Sequence, residues 1–146
     1  MTDPDHRSIT IDRVDEGIYL ARNARGLELR FGSKDPEGFT PVELFLASIA
    51  ACTAVDIDVV TGRRAVADEF SARIDATYVR DDAGNRLEDM TLTFHVRFPE
   101  GDAGDAAREI LPRIAKTSHD KTCTVSRTVE IGTPIRTVLD SATRLR

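Results

Sequence analysis

Aromatic and sulfur-containing side chains are scarce in this sequence. Only 5% of its 146 residues are aromatic, Trp is absent, and the two cysteines are Cys52 and Cys123. We therefore expect a core built mainly from aliphatic side chains. The cysteines form no Cys-x-x-Cys pair, and no two of the histidines His6, His95 and His119 are spaced like ligands on one element. These absences predict that the chain holds no metal.

Several functional signatures are missing as well. The sequence has no Gly-x-Gly-x-x-Gly, no phosphate-cradling loop and no Gly-x-Ser-x-Gly, which argues against nucleotide cofactors and serine hydrolysis. A net charge of −5, with Lys and Arg scattered, argues against nucleic-acid binding. The polar start, Met1–Arg7, lacks the apolar segment of a signal peptide, so we expect a cytoplasmic protein. Length and composition predict one globular domain over residues 1–146, with 1–7 as a disordered tail.

The longest apolar stretch, Thr40–Asp58, predicts a helix, for which Gly62 marks a possible end. Thr40, Pro41 and Glu43 are an N-cap, a first-turn proline and the third-position glutamate of a capping box. Apolar residues cover every face between Val42 and Val55, a pattern typical of a buried helix. This run is shorter than the roughly 20 residues that a membrane span requires, so we expect no membrane association.

Alternating apolar residues predict strands on both sides of this helix. Three short runs before it, beginning near Ser8, Ile18 and Leu27, indicate a meander. After it, Phe70–Arg80 and Met90–Phe98 alternate strongly around a turn, and predict a hairpin with one apolar face. We expect that face to pack against the apolar helix.

The last third of the chain predicts one more helix and one more strand. The helix begins near Asp102 with apolar residues at helical spacing, and Pro112 is expected to kink or shorten it. After Cys123, the run Val129–Ile131 favours a strand. The order β-β-β-α-β-β-α-β makes this an α+β fold.

The central helix is too apolar for one subunit to cover. A single sheet covers one side, and the other side has no polar stripe to face water. We therefore favour a homodimer in which the central helices bury each other, with the second helix as the alternative cover.

The cysteines allow several interpretations on residue type alone. Cys52 fits a small buried residue in an alanine-rich helix, and Cys123 fits a free thiol at the end of a loop. A Cys52–His119 hydrolase pair would depend on a proximity that the sequence does not reveal. These alternatives stay open on composition and spacing.

Two segments together resemble the OsmC/Ohr superfamily, named for osmotically inducible protein C and organic hydroperoxide resistance protein. Pro41–Asp56 resembles the family's central helix, and the Cys-Thr-Val-Ser segment Cys123–Ser126 resembles its second cysteine motif. The resemblance extends over roughly Ser8 to Val138 and is closer to the OsmC-like branch. It implies an intertwined homodimer, with two long central helices wrapped by antiparallel sheets and active sites at the subunit interface.

The resemblance also implies a chemistry. Cys52 would be the peroxidatic thiolate that reduces an apolar organic hydroperoxide in oxidative-stress defence, and Cys123 would resolve its sulfenic acid as a disulfide. An external dithiol would restore both thiols, and no bound cofactor is implied. The competing class is an OsmC-like small-molecule-binding or stress-associated protein with little or no peroxidase activity.

The acidic and basic partners of Cys52 are less well defined. Val42 stands where the hydroperoxide branch has its functional Glu, and Glu43 follows it as in OsmC-like members. Nine residues of an ideal helix turn through about 900°, which places Glu43 opposite Cys52, so its capping role is favoured over a catalytic one. Asp56 lies one turn from Cys52, and its charge opposes ionisation of that thiol. We therefore expect an activating cation, either Arg13 or Arg127.

Overall fold

The computed structural model describes residues 3–140, in two compact units whose described parts are 3–48 and 49–140. Antiparallel strands and helices follow each other along the chain, which confirms the α+β class. Residues 1 and 2 of the predicted tail lie outside the described residues, while 3–7 contain a turn closed by the His6 N–H on the Asp3 carbonyl, at 3.1 Å. The expectation of a single domain stays a prediction.

The first unit contains the predicted three-stranded meander. Its strands are β1 (Ile9–Asp15), β2 (Ile18–Asn23) and β3 (Glu28–Phe31), all antiparallel in that order. Gly17 turns the chain between β1 and β2 at φ +68°, a conformation that glycine adopts without strain. A Cβ on Gly32 would lie 1.9 Å from the Gly17 carbonyl oxygen, so both positions require glycine.

Helix α1 (Pro41–Gly62) begins with the predicted capping box. The Glu43 N–H donates to Thr40 Oγ1 at 3.2 Å, and Glu43 Oε1 accepts from the Thr40 N–H at 3.4 Å and from its hydroxyl at 2.9 Å. These reciprocal bonds satisfy N–H groups that the first helical turn leaves without partners.

Helix α1 ends at Gly62, the possible end that the sequence indicated. α1 continues past Asp56 and Asp58 and reaches 22 residues, with a mean hydropathy of 1.8 over its most apolar window. Length and composition therefore do not exclude a membrane span, and that argument from the sequence is wrong. The same two properties are weak evidence for a span, because the core helix of a globular protein shares them.

Among the described residues of the second unit, α1 is buried on one side. In the second unit its buried residues are Ile49, Thr53, Ile57 and Thr61, spaced by one helical turn. Val55 and Val59 point elsewhere and are 60% and 53% exposed. Within residues 49–140, α1 is therefore not buried on every face, because those residues cover one helical stripe.

The predicted hairpin is present in the second unit as β4 (Glu69–Val79) and β5 (Arg86–Arg97). Phe70 of β4 and Phe94 of β5 meet edge to face on its apolar side, with ring centroids 6.1 Å apart. A bulge interrupts the pairing near Asp89, whose φ of +53° marks the extra residue.

Three helical segments complete the second unit: α2 (Asp102–Thr117), a π-helical turn (Ser118–Thr122) and α3 (Thr124–Glu130). We call Ser118–Thr122 the π-turn. α2 continues five residues beyond Pro112 to Thr117, so the helix is not shortened at that proline. Within the described residues α2 leads into the π-turn without an intervening loop.

The predicted final strand at Val129–Ile131 is wrong, because those residues end helix α3. The β-branched composition of Thr124–Glu130 favours a strand, yet its inward-facing residues Val125 and Val129 are one helical turn apart. Cys123 supplies the N-cap that starts this helix, so tertiary packing and capping override local propensity.

Candidate functional site

Cys123 lies at the start of α3 as its N-cap. Its sulfur accepts the Ser126 N–H at 3.4 Å and lies 3.3 Å from the Ser126 hydroxyl oxygen. The side chain is completely buried. A thiol with donors fixed around it is well placed to carry negative charge.

Cys52 lies on α1 with its thiol in hydrogen-bonding contact with that of Cys123. The hydrogen-bonding interaction between the two thiols raises the pKa of Cys52 and lowers that of Cys123, and the Val125 N–H donates to the Cys52 sulfur. The first turn of α3 thus uses two backbone N–H groups, those of Val125 and Ser126, on the two sulfurs. Both cysteines are free thiols here, and Cys52 is the less buried of the two.

The surroundings shift the two thiol pKa values in opposite directions. Burial raises the pKa of Cys52, and the nearby Cys123 thiol and Asp56 carboxylate raise it further. Burial also opposes ionisation of Cys123, but the Ser126 hydroxyl, the Thr53 hydroxyl and the Ser126 N–H outweigh it and lower the Cys123 pKa. These opposite shifts favour the thiolate at Cys123 over the thiolate at Cys52.

Asp56, one turn beyond Cys52 on α1, contacts the segment that precedes Cys123. Its Oδ2 atom accepts hydrogen bonds from the Ser118 hydroxyl at 2.7 Å and from the Thr122 hydroxyl at 2.8 Å. The Ser118 carbonyl in turn accepts the Cys123 N–H at 2.8 Å. Two hydroxyls of the π-turn therefore donate to the same carboxylate oxygen of Asp56.

A cavity of about 320 Å³ lies beside the cysteine pair within the second unit. Thr53 and Ser126, whose hydroxyls contact Cys123, form part of its wall. The rest is mainly apolar and comes from α1, the hairpin, α2 and α3: Ile49, Ile74, Met90, Leu92, Phe94, Ala115 and Val129, with His119 and Glu130 as the charged members. The apolar face of the hairpin and α1 thus line this cavity together, and direct packing between them stays a prediction.

His119 is engaged by two carboxylates. Its Nδ1 lies 3.0 Å from Asp120 Oδ1 and its Nε2 lies 2.6 Å from Glu130 Oε1. The hydrogen bonds to Asp120 and Glu130 raise the His119 pKa above its ordinary value. Both ring nitrogens thus serve carboxylates, and the Cys52–His119 hydrolase pair is not formed in this structure. Across residues 3–140 no His, Cys, Asp and Glu side chains cluster as a metal site.

The remaining predicted site residues do not join the cysteine pair in the described contacts. Glu43 is engaged in the capping box with Thr40, and its catalytic role stays a prediction. Arg13 lies on β1 in the first unit and Arg127 is half-buried on α3. No guanidinium is among the groups that set the pKa of Cys52 within the described part of the chain, so the activating arginine also stays a prediction.

Sequence reasoning missed four hydroxyl groups that surround the pair. Thr53 and Ser126 contact Cys123, while Ser118 and Thr122 hold Asp56. Ser126 stands three residues after Cys123, at the N3 position relative to an N-cap, so the sequence spacing could have predicted its contact with Cys123. The others become visible only when α1 and the π-turn are brought together.

Comparison with known proteins places these features in a family context. The family model for OsmC-like protein matches residues 32–138. An uncharacterized protein of Mycobacterium tuberculosis is 27% identical over 128 residues, which cover 86% of this chain and 90% of that protein.

Solved structures agree on the fold. An OsmC-like protein of unknown function from Vibrio cholerae superposes with a TM-score of 0.69 at 12% identity, over 86% of this chain and 94% of its own. The organic hydroperoxide resistance protein OhrB of Bacillus subtilis gives a TM-score of 0.52 at 19% identity, over 85% and 90% of the two chains. Relatives at this identity support the fold and leave the chemistry to be argued from the site.

Proposed function

The chain belongs to the OsmC-like protein family, and from that premise we propose that it is a thiol-dependent peroxidase that reduces organic hydroperoxides in oxidative-stress defence. The observation that carries the proposal is the contact between the Cys52 and Cys123 thiols beside a mainly apolar cavity. Proteins in the same structural group include one named for organic hydroperoxide resistance, which is consistent with this chemistry.

In the proposed reaction Cys52 is the peroxidatic residue. Its thiolate attacks one oxygen of the hydroperoxide, the O–O bond breaks, and the alkoxide leaves as an alcohol after taking up a proton. The product on Cys52 is a sulfenic acid. The Cys123 thiolate then attacks that sulfur, an S–S bond forms, the S–O bond breaks, and hydroxide leaves as water after protonation.

The direction of the thiol pKa values suits the second step better than the first. The lowered pKa of Cys123 makes it the more readily ionised partner, as a resolving nucleophile requires. The raised pKa of Cys52 means that the first step needs an additional cation. We propose that Arg13 or Arg127, of either subunit in an assembled dimer, supplies it.

The cavity supports an apolar substrate. A volume of about 320 Å³ lined mostly by aliphatic and aromatic side chains fits a bulky organic group better than hydrogen peroxide. A dithiol reductant, either a protein or a small thiol, would reduce the disulfide by exchange and return both cysteines to thiols. A reducing cytoplasmic compartment would supply such a reductant, and the proposal requires no bound cofactor.

We further propose a homodimer. Val55 and Val59 leave an apolar stripe of α1 exposed in one chain. In the first unit, Ile9, Ile11 and Leu29 lie on one face of the sheet and are each more than half exposed. Apolar surface of this kind is typical of subunit interfaces, and a second copy of the chain is the occupant that the family resemblance favours.

The alternative is an OsmC-like protein that binds an apolar small molecule and has little peroxidase activity. One observation favours it specifically: burial, the Cys123 thiol and Asp56 all oppose ionisation of Cys52. In that case the cavity would hold a ligand while the thiols served only the structure or slow redox sensing.

Steady-state turnover separates the two functions. The wild type with cumene hydroperoxide and dithiothreitol should consume the peroxide catalytically, and Cys52→Ser should abolish this consumption. Cys123→Ser should retain the first oxidation and lose sustained turnover. Consumption no faster than that of Cys52→Ser would contradict the peroxidase and leave the binding protein.

A further inference from the structure

Asp56 connects the helix that carries Cys52 to the turn that carries the chain into Cys123. A single carboxylate oxygen accepts from two hydroxyls, Ser118 at 2.7 Å and Thr122 at 2.8 Å. These are the first and last residues of the π-turn. Both ends of one five-residue turn are therefore held by one atom of α1.

Ser118 links Asp56 to the backbone of Cys123 through two hydrogen bonds. Ser118 is almost completely buried, and while its hydroxyl donates to Asp56, its carbonyl accepts the Cys123 N–H at 2.8 Å. Thr122 is the residue immediately before Cys123 in the chain. The position of the Cys123 backbone thus depends on two residues that are both hydrogen-bonded to Asp56.

The π-turn is an uncommon conformation, and its two contacts with Asp56 stabilise it from outside. Its i→i+5 pattern is rare, and in proteins it occurs mostly as single turns, often at functional sites. The chain leaves the π-turn through Cys123 in an extended conformation, φ −74° and ψ +100°, before α3 begins. A change in the turn would therefore move the Cys123 sulfur relative to α1, where Cys52 lies.

The charge of Asp56 disfavours ionisation of Cys52. The carboxylate is among the groups that raise the pKa of Cys52, so it opposes formation of the peroxidatic thiolate. Hydrogen bonds to a carboxylate are stronger than those between neutral groups. The same side chain thus makes Cys52 less acidic and holds the approach to Cys123 more firmly.

From this arrangement we infer that Asp56 is a positioning residue for disulfide formation, which holds the π-turn so that the Cys123 sulfur remains against Cys52. The inference rests on the proposed function in that it assigns Cys123 the resolving role. Asp56 takes no part in bond making: it fixes the distance over which the Cys123 thiolate attacks the Cys52 sulfenic sulfur, with S–S formation, S–O cleavage and release of water after protonation.

The test measures how readily the two thiols pair, without any peroxide. The full chain is equilibrated in buffers of reduced and oxidised glutathione, trapped by alkylation and weighed, which gives the effective concentration of one thiol at the other. Asp56→Ala is expected to lower that value by about tenfold to a hundredfold, the scale of losing hydrogen bonds to a charged group. Asp58→Ala, which removes an exposed carboxylate from the same helix, is the matched control and should leave it unchanged.

Two further variants separate positioning from charge. Asp56→Asn keeps an oxygen that accepts hydrogen bonds and removes the charge, so it should retain most of the effective concentration while Cys52 ionises at lower pH. Ser118→Ala combined with Thr122→Val removes the two hydroxyl donors, and this donor variant should have the same effective concentration as Asp56→Ala. The triple variant should have no lower effective concentration, because all three substitutions remove the same contacts. If far-ultraviolet circular dichroism shows that Asp56→Ala does not fold, the effective concentration of the donor variant tests the inference instead.

The outcomes distinguish failure of this inference from failure of the proposed function. If the wild type forms the Cys52–Cys123 disulfide in glutathione, and the Asp56→Ala and donor variants have the same effective concentration as the wild type, the positioning role alone is overturned. A loss in Asp56→Asn as large as in Asp56→Ala overturns it too, because the acceptor oxygen would then contribute nothing. A wild type that forms no such disulfide overturns both the resolving role of Cys123 and the positioning role.

Discussion

The Cys52 and Cys123 thiols interact through a hydrogen bond, so the two sulfurs lie close together before any disulfide has formed. They come from different helices, α1 and the start of α3. Two N–H groups of the first turn of α3, those of Val125 and Ser126, serve the two sulfurs, and the Thr53 hydroxyl serves Cys123. This arrangement has measurable consequences for acidity, oxidation, assembly and substrate choice.

The first prediction concerns the acidity of Cys123. Thr53→Val removes a hydroxyl that donates to the Cys123 sulfur at nearly constant volume, and should raise the Cys123 pKa by roughly one unit. Ultraviolet thiolate absorbance against pH, in a Cys52→Ser background, measures Cys123 alone. Thr61→Val is the matched control, because it removes another buried threonine hydroxyl from the same face of α1, bonded instead to the Ile57 carbonyl. Equal shifts in both variants would contradict a specific contact.

A second prediction concerns overoxidation. Without a resolving partner, the Cys52 sulfenic acid remains exposed to further peroxide, so Cys123→Ser should accumulate sulfinic and sulfonic acid at Cys52. Mass spectrometry after stepwise additions of cumene hydroperoxide would show added oxygens on that peptide. The wild type under the same additions should show the disulfide first. Identical oxygen addition in both proteins would mean that Cys123 does not protect Cys52.

Assembly gives a third prediction. If a second chain covers the exposed stripe of α1, Val55→Asp should weaken the dimer and make the melting temperature depend more strongly on protein concentration. Val66→Asp is the control, since Val66 is 77% exposed and lies outside the helix. Sedimentation velocity at micromolar concentration reports the species directly. A wild-type monomer with a melting temperature independent of concentration would count against the dimer.

The extent of sequence prediction can be judged from particular elements. Thr40 and Glu43 predicted the start of α1 correctly because a capping box is local, and alternation predicted β4 and β5 because one face of the hairpin is apolar. α3 was missed because its β-branched residues favour a strand until Cys123 caps them as a helix. The contacts of Asp56 with Ser118 and Thr122 join residues distant in sequence, and no local pattern encodes them.

Substrate choice provides a fourth prediction. Ala115→Leu places a larger side chain in the cavity and should raise KM for cumene hydroperoxide while leaving the rate with hydrogen peroxide nearly unchanged. Ala103→Leu, at an exposed position of the same helix, is the control. The wild type should prefer cumene hydroperoxide. Equal or faster turnover of hydrogen peroxide by the wild type would show that the cavity does not select the substrate.

The pH dependence of stability follows from His119. Its pKa is raised in the folded chain by Asp120 and Glu130, so the protonated form is favoured on folding. This contribution is fully present below the unfolded value near 6.5 and is lost as the pH rises through the folded value. Urea unfolding of the wild type and His119→Gln should therefore differ most at acidic pH and converge at alkaline pH. A difference between the wild type and His119→Gln that does not change with pH would contradict the assignment.

The central claim is that Cys52 reacts with the hydroperoxide and Cys123 resolves the product. Its most direct test is peptide mapping of the reduced wild type after brief exposure to excess cumene hydroperoxide, with remaining thiols alkylated at once. We predict one disulfide per chain, joining Cys52 to Cys123 of the same polypeptide. Recovery of Cys52 as an alkylated free thiol, with the hydroperoxide still in excess, would contradict the account.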